Sequence, residues 1–216
     1  MLDKIKAELL AVRIIPNVDM SLAEQYQLKP GYRSLGIVTA TIDDIGYTAL
    51  DEATKRADVE VVYARSFYAG ASHASGPLSG EFIGIIAGRN SDEVRSGIEA
   101  IAHTIHDEAF FEALNAERTH ALYAHVIART GSYLSKLAGV DEGEPLAYVI
   151  APPLEAMYGL DAALKAADVR LVKLFEPPSE TNFGGGLLTG TQASCRAAAD
   201  AFRASIIEIA KRPIIY

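Results

Sequence analysis

Three carboxylates are the groups in this sequence best placed to do chemistry. Asp43 and Asp44 stand side by side at the start of a helix, and Glu81 opens a strand directly after a long loop. Acidic residues at a helix start ordinarily complement the dipole, and a glutamate at a strand end is ordinarily solvated. The sharper alternative is that all three converge on a small opening and favour a cationic solute by Coulomb attraction. The histidines offer less. His103 and His106 lie three apart on a helix, but no third ligand is near in sequence, so a solvated helix face is the better reading. His125 reads as a packed or hydrogen-bonded strand residue.

Most catalytic patterns are missing. Gly184-Gly185-Gly186 is not followed by the Gly-Lys-Ser/Thr of a phosphate loop, and no strand, Gly-x-Gly-x-x-Gly and helix unit occurs. There is no His-Glu-x-x-His and no Gly-x-Ser-x-Gly elbow. No nucleophile sits at a useful spacing from a base. Arg129, Glu155 and Glu180 are the only residues that suggest a site shared between copies, so the sequence argues against an enzyme.

The formal charge of −8 argues against a nucleic-acid surface and for cationic or neutral partners. The lone Cys195 excludes an internal disulfide and a cysteine-based zinc cage. The longest apolar run, Phe82 to Gly88, is too short to span a bilayer, and Met1 to Lys6 does not read as a secretion signal. A cytoplasmic location is expected.

The elements that must position the carboxylates come in two copies. Leu50 to Val62 recurs as Leu160 to Val172, with eight of thirteen positions identical and no gap. Each copy reads as a helix end running through an Ala-Asp pair into a β-branched strand. The pattern divides the chain into a first domain, 1–112, and a second, 113–216. Each is of α/β (α+β) class, with an antiparallel sheet flanked by helices. Strands are expected near Leu35–Ala40, Val59–Ala64 and Glu81–Gly88, and again near Ala121–Arg129, Leu146–Ile150, Arg170–Phe175 and Gly186–Thr189.

The helix from about Asp43 carries Ile42, Ile45, Ala49 and Ala53 at steps of three and four. The next opens with Ser91 as N-cap and Asp92-Glu93 in its first turn, and buries Val94, Ile98, Ile101 and Ile105. In the second half, Pro152-Pro153 opens a helix with Met157, Leu160, Leu164 and Ala167 on one face. The last helix buries Cys195, Ala199, Phe202, Ile206 and Ile209, at an offset of 101 from its counterpart. That offset places a nine-residue length difference in the loop before the fourth strand. The two loops, Phe67 to Gly80 and Glu176 to Gly185, are long and glycine-rich, with isolated aromatics, which marks them as functional.

Several long motifs resemble one family. These are Arg33 to Gly36, Asp43-Asp44, Asp51 to Lys55, Val61 to Ala71, Arg129 to Ser135, Ala151 to Ala156, Pro177 to Asn182 and Leu188 to Gly190. They resemble the EutL family of ethanolamine-utilisation shell proteins, tandem and circularly permuted ferredoxin-like domains of the bacterial microcompartment. The likeness spans nearly the whole chain.

The resemblance implies a homotrimer that mimics a hexamer and tiles edge to edge with other shell proteins. It implies a central pore gated by the long loops, placing Phe67, Tyr68, His73, Asn182 and Phe183 at the gate. It also implies a small pore in each subunit for a cationic solute such as ethanolamine, lined by Asp43, Asp44 and Glu81 with Phe110 as aromatic neighbour. Some relatives are associated with cobalamin or zinc, but this sequence shows no sign of either and no metal or cofactor is assigned.

Two copies per chain in three chains give six quasi-equivalent units, the closed ring expected of heterologous contacts. Three copies of His73 around such an axis would make a His₃ set able to bias the gate. Gly184-Gly185-Gly186 is expected to loosen the second loop, and the end of the chain, Lys211 to Tyr216, departs from relatives. The function expected is a structural shell tile that passes small polar solutes. The alternative from another class is a trimeric, ferredoxin-like metabolite-sensing protein.

Overall fold

The computed structural model describes residues 3–67, 76–179 and 181–215. The first half runs β1 (Lys4–Ile5), β2 (Leu9–Ile15), α1 (Met20–Gln25), β3 (Ser34–Ala40), α2 (Asp43–Arg56), β4 (Val59–Ser66), β5 (Phe82–Gly88) and α3 (Ser91–His103), which continues as a π-helical turn, Thr104–Glu108. The second half runs β6 (Phe111–Ala113), β7 (Ala121–Ile127), α4 (Ser132–Ala138), β8 (Leu146–Ala151), α5 (Pro153–Ala166), β9 (Val169–Phe175), β10 (Gly184–Gly190) and α6 (Gln192–Lys211).

Two compact units result. One is Lys6–Ala109 with Gly131–Leu134, and the other is Met1–Ile5, Phe110–Thr130 and Ser135–Tyr216. The sequence reading divided the chain once, between 112 and 113. Two short segments cross over instead. The first five residues carry β1, which pairs with β6 through Lys4–Glu112 and Ile5–Phe111. Residues 131–134 are held by α2, as described below.

In the N-terminal unit the sheet order is β2-β3-β5-β4, with all neighbours antiparallel. The central strands β3 and β5 read as continuous apolar runs because both of their faces are covered. Val38, Ile45, Ala49, Ala53, Phe82 and Ile86 are buried where the helices pack. Leu35, Ile85 and Ala87 pack with Val18, Tyr26 and Tyr32. The stripe expected on α3, Val94 to Ile105, is buried, and its N-cap is Asn90, whose side chain accepts from the backbone of Asp92 and Glu93 at 2.9 Å.

The C-terminal unit repeats that order as β7-β8-β10-β9 and extends it with β6 and β1. Its core joins Leu122, Val149, Leu160, Leu188, Cys195 and Phe202. The chain distance between counterparts in the last strand is 102 (Gly190 minus Gly88, paired with Val169 and Val59), against 101 for the helix that follows. One residue of the expected length difference therefore lies in the turn after the strand and the rest in the loop before it.

Two expectations need correction. Met157 and Leu164 of α5 are not in the core: they are 36% and 37% exposed, while Ala156, Gly159, Leu160 and Ala163 face inward. Small residues let α5 lie close on α6, where a side-chain carbon added at Gly159 would stand 2.8 Å from Phe202. The three glycines at 184–186 do not loosen the loop. They are buried in β10, where a Cβ on Gly185 (φ +153) would come within 1.9 Å of the Val149 carbonyl oxygen. Glycine is there because the neighbouring strand backbone leaves no room for anything larger.

The best-defined buried charge is Asp51, 1% exposed on α2. Its carboxylate accepts from the backbone N–H of Gly131 and of Leu134, both at 2.8 Å, with Lys55 Nζ at 3.5 Å. Burial pushes the Asp51 carboxyl above the ordinary aspartate range, against the pull of those donors. Charge-assisted bonds of this kind contribute about 1.5–3 kcal/mol each. Asp51→Ala is therefore expected to lower stability by about 2–4 kcal/mol and to speed amide exchange at residues 131–134. Chemical denaturation with hydrogen-exchange mass spectrometry checks both, and unchanged exchange there would rule out the anchoring role.

Candidate functional site

Asp43 and Asp44 occupy the first turn of α2, and neither is its cap. Ile42 holds the cap position without a side-chain bond. The Asp44 backbone N–H donates to Asp43 Oδ1 at 2.9 Å, and Thr48 Oγ1 donates to the Asp44 carbonyl oxygen at 3.0 Å. Both aspartates are 7% exposed. They are buried acids at the positive end of a fourteen-residue helix, not solvated residues at a helix start.

Glu81 is brought to them by the end of the first loop. Its backbone N–H donates to the Ala40 carbonyl at 3.0 Å, and its own carbonyl accepts from the Phe67 N–H at 3.1 Å. A turn closed by Gly76 and Ser79 precedes it, and Thr39 Oγ1 donates to the Leu78 carbonyl oxygen at 2.6 Å. The Glu81 carboxyl is raised above the usual range, first by burial and then by the negative charge of Asp43. The negative charge of Asp43 thus bears on Glu81.

Tyr47 joins this group although the sequence reading passed over it. It lies one turn beyond Asp43 on α2, a spacing that could have signalled the proximity. Its hydroxyl is pushed up to about 12 by burial, with a hydrogen bond to Ser66 opposing and the charges of Asp43 and Asp44 adding to the rise. Its ring packs edge-on against Phe82 (5.2 Å between centroids) and is stacked with Tyr133 at 6.3 Å.

The remaining site residues are distributed more widely. Phe110 belongs to the C-terminal unit, where Lys4 Nζ lies 3.9 Å from its ring centroid, at a groove of about 530 Å³ also lined by His125, Arg196 and Arg203. In the second loop, Asn182 is exposed with φ +66, and its N–H donates to the Ser179 carbonyl at 3.1 Å. Phe183 is half-buried, its ring edge-on to Phe111 at 6.2 Å. Phe67 is partly buried beside Glu81. Tyr68, His73 and Glu180 lie outside the described residues.

Among the described residues there is no group of three or more metal-ligating side chains, and no helix is long and apolar enough to cross a membrane. His103 is half-exposed, between Asp107 (3.1 Å) and Glu108 (3.2 Å). His125 stacks on Tyr123 at 5.6 Å. Glu155 lies 2.9 Å from His120, and Arg129 is at the surface.

The fold defines a class: two tandem α/β units, each with an antiparallel sheet and helices, and, among the described residues, a pair of buried aspartates opening a helix in the first unit alone. Residues 34–129 match the BMC domain family. Over 212 residues the chain is 54% identical to the bacterial microcompartment shell protein EutL of Clostridium perfringens, covering 98% of each. The crystal structure of the ethanolamine utilization protein EutL from Leptotrichia buccalis superposes at a TM-score of 0.96 with 57% identity, over 100% of this chain and 99% of that one. A trimeric microcompartment shell protein, PduB, shares the fold at a TM-score of 0.75 and 22% identity, over 92% and 87% of the two chains. The chain belongs to the EutL-type shell proteins of bacterial microcompartments, whose role is structural and not enzymatic.

The acidic cluster has a consequence for pH. Because the folded Glu81 carboxyl is raised, its contribution to stability is greatest at low pH and is lost as pH rises through that folded value. Glu81→Gln is expected to remove this fall from the stability profile between acid and neutral pH. Parallel melts of the two proteins across that range test it; identical pH slopes would show that Glu81 carries no such strain.

Proposed function

We propose that three copies of this chain close into a ring of six quasi-equivalent units, a shell tile with a central opening and a small cation-selective passage in each N-terminal unit. The support for the passage is that Asp43 and Asp44 are buried at the head of α2 while Glu81 is bonded to Ala40, at the end of the strand that leads into that helix, with its carboxyl raised by burial and by the charge of Asp43. A protonated amine entering that cluster would relieve the repulsion, whereas a neutral aldehyde would gain nothing from it. Ethanolamine, protonated at neutral pH, is the solute that fits this chemistry. The utilisation of ethanolamine named for the Leptotrichia buccalis relative agrees with it.

In this reading the segments 67–77 and 176–185 form the gate of the central opening, with Phe67, Tyr68, His73, Asn182 and Phe183 as its residues. The ring itself is supported by the doubling of the unit, since three tandem chains present six similar edges. Edge-to-edge packing with other shell proteins follows from the same geometry.

Two measurements decide these points. Asp43→Asn combined with Asp44→Asn is expected to weaken ethanolammonium binding at least tenfold in calorimetry while leaving the assembled mass unchanged; full binding in the double variant would remove the acids from the passage. Electron microscopy of the concentrated protein is expected to show flat, hexagonally packed layers. Discrete trimers at every concentration would favour a metabolite sensor instead.

A further inference from the structure

The sheet of the C-terminal unit is wider than the helix layer above it. In the N-terminal unit the sheet stops at β2, whereas in the C-terminal unit β6 and β1 continue it past β7, the counterpart of β2. Helix α6 packs on β7, β8, β9 and β10. The two added strands therefore run out from under its flank, and the step between helix and strands is the groove of about 530 Å³ described above. A groove of that size accommodates a small organic molecule.

Its floor is apolar and its walls are charged. Ala124 and Val126 of β7 and Ala199 of α6 supply small side chains. Arg203 of α6 grips Glu112 of β6, its Nε donating to the two carboxylate oxygens at 2.9 and 2.8 Å and its Nη2 to Oε2 at 2.7 Å. That fork ties the helix to the added strand and cancels its own charge. Lys4 of β1, paired with Glu112 across the ladder, holds its Nζ over the Phe110 ring, 3.9 Å from the centroid. Arg196 lies two turns before Arg203 on the same face of α6. Both Lys4 and Arg196 are exposed, and among the described residues neither is paired with a carboxylate. The lysine and two arginines outnumber the groove's two acids, Glu112 and Asp200, by one, on a chain whose formal charge is −8.

We propose that this groove binds a small organic anion, a carboxylate or phosphate carrying a short carbon chain. Lys4 and Arg196 take the anionic oxygens, and Ala124, Val126 and Ala199 receive the chain. A guanidinium presents a planar fork that matches either anion, and the ammonium adds a point charge. The Arg203–Glu112 fork holds the two walls apart, so the cationic arms project from anchored positions. Asp43 and Asp44 would repel such a solute, so one chain offers separate places to solutes of opposite charge. The site lies within a single unit and stands whether or not the ring closes.

The test is calorimetry of the full chain with butanoate and with butyl phosphate. Saturable binding is expected, weakened by added salt. Lys4→Gln and Arg196→Gln are each expected to lower the affinity about tenfold, the order set by one charge-assisted hydrogen bond. Arg196→Lys keeps the charge and most of the binding, and Lys173→Gln, which removes an exposed cation from β9, changes nothing. Binding of one probe alone supports the site and identifies which anion it takes. Lys4 and Arg196 are exposed, so these variants are expected to melt as the parent does. No saturable heat with either probe, or equal affinity in the Lys4→Gln, Arg196→Gln double variant, overturns the site.

Discussion

Asp51 carries the interaction on which the described arrangement most depends. A carboxylate removed from water inside a helix face is costly unless donors replace its hydration. Here they come from a stretch eighty residues away, Gly131 and Leu134, and from Lys55 one turn along the same helix. Each party compensates the other. The first turn of α4 has unsatisfied N–H groups and, with glycine at its head, no side chain of its own to meet them. One buried acid thus settles where the chain goes on leaving β7, and ties that segment to the N-terminal unit.

The two units show how far one frame can be re-equipped. Strand order, the fourteen-residue length of α2 and α5 and even single turn bonds recur, yet α2 opens with Asp43-Asp44 and α5 with Pro153-Leu154. The first loop between the last two strands spans residues 67–81 and the second only 176–183. Gly88 recurs as Gly190, whereas the aspartate at position 51 recurs as Asp161 in type alone: Asp51 is buried and holds residues 131–134, while Asp161 is exposed and pairs with Lys165. The acids of the candidate passage are confined to one copy, where the dipole of α2 offsets part of their mutual repulsion.

Much of this was legible in the residues. The Leu50–Val62 repeat located α2, α5 and the strands after them, and the stripes of α2 and α3 named buried residues, except that Ile42 is half-buried at the cap of α2. Asp43, Asp44 and Glu81 were singled out by type and position, and the fold buries the two aspartates at the head of α2. The failures have physical causes. Helix α5 is apolar nearly all round, so periodicity did not tell which side was core, and Ala156, Gly159 and Ala163 won the inside by letting α6 come close. Glycines 184–186 looked like loop because their reason lies in the neighbouring strands. Strand β1 has two residues, too few for any pattern, and Phe110, carried over by family position, lies in the unit that lacks the acids.

Fusing two units into one polypeptide has a genetic consequence. In a ring of six identical subunits, one altered codon changes every position around the axis, so a charge placed in one unit appears six times. When the repeat is written twice in a single gene, a codon alters alternate positions only. In the ring proposed above, acid would then stand beside three of the helices, and proline and leucine beside the other three. The divergence of Asp43-Asp44 from Pro153-Leu154 is what such independent editing leaves behind.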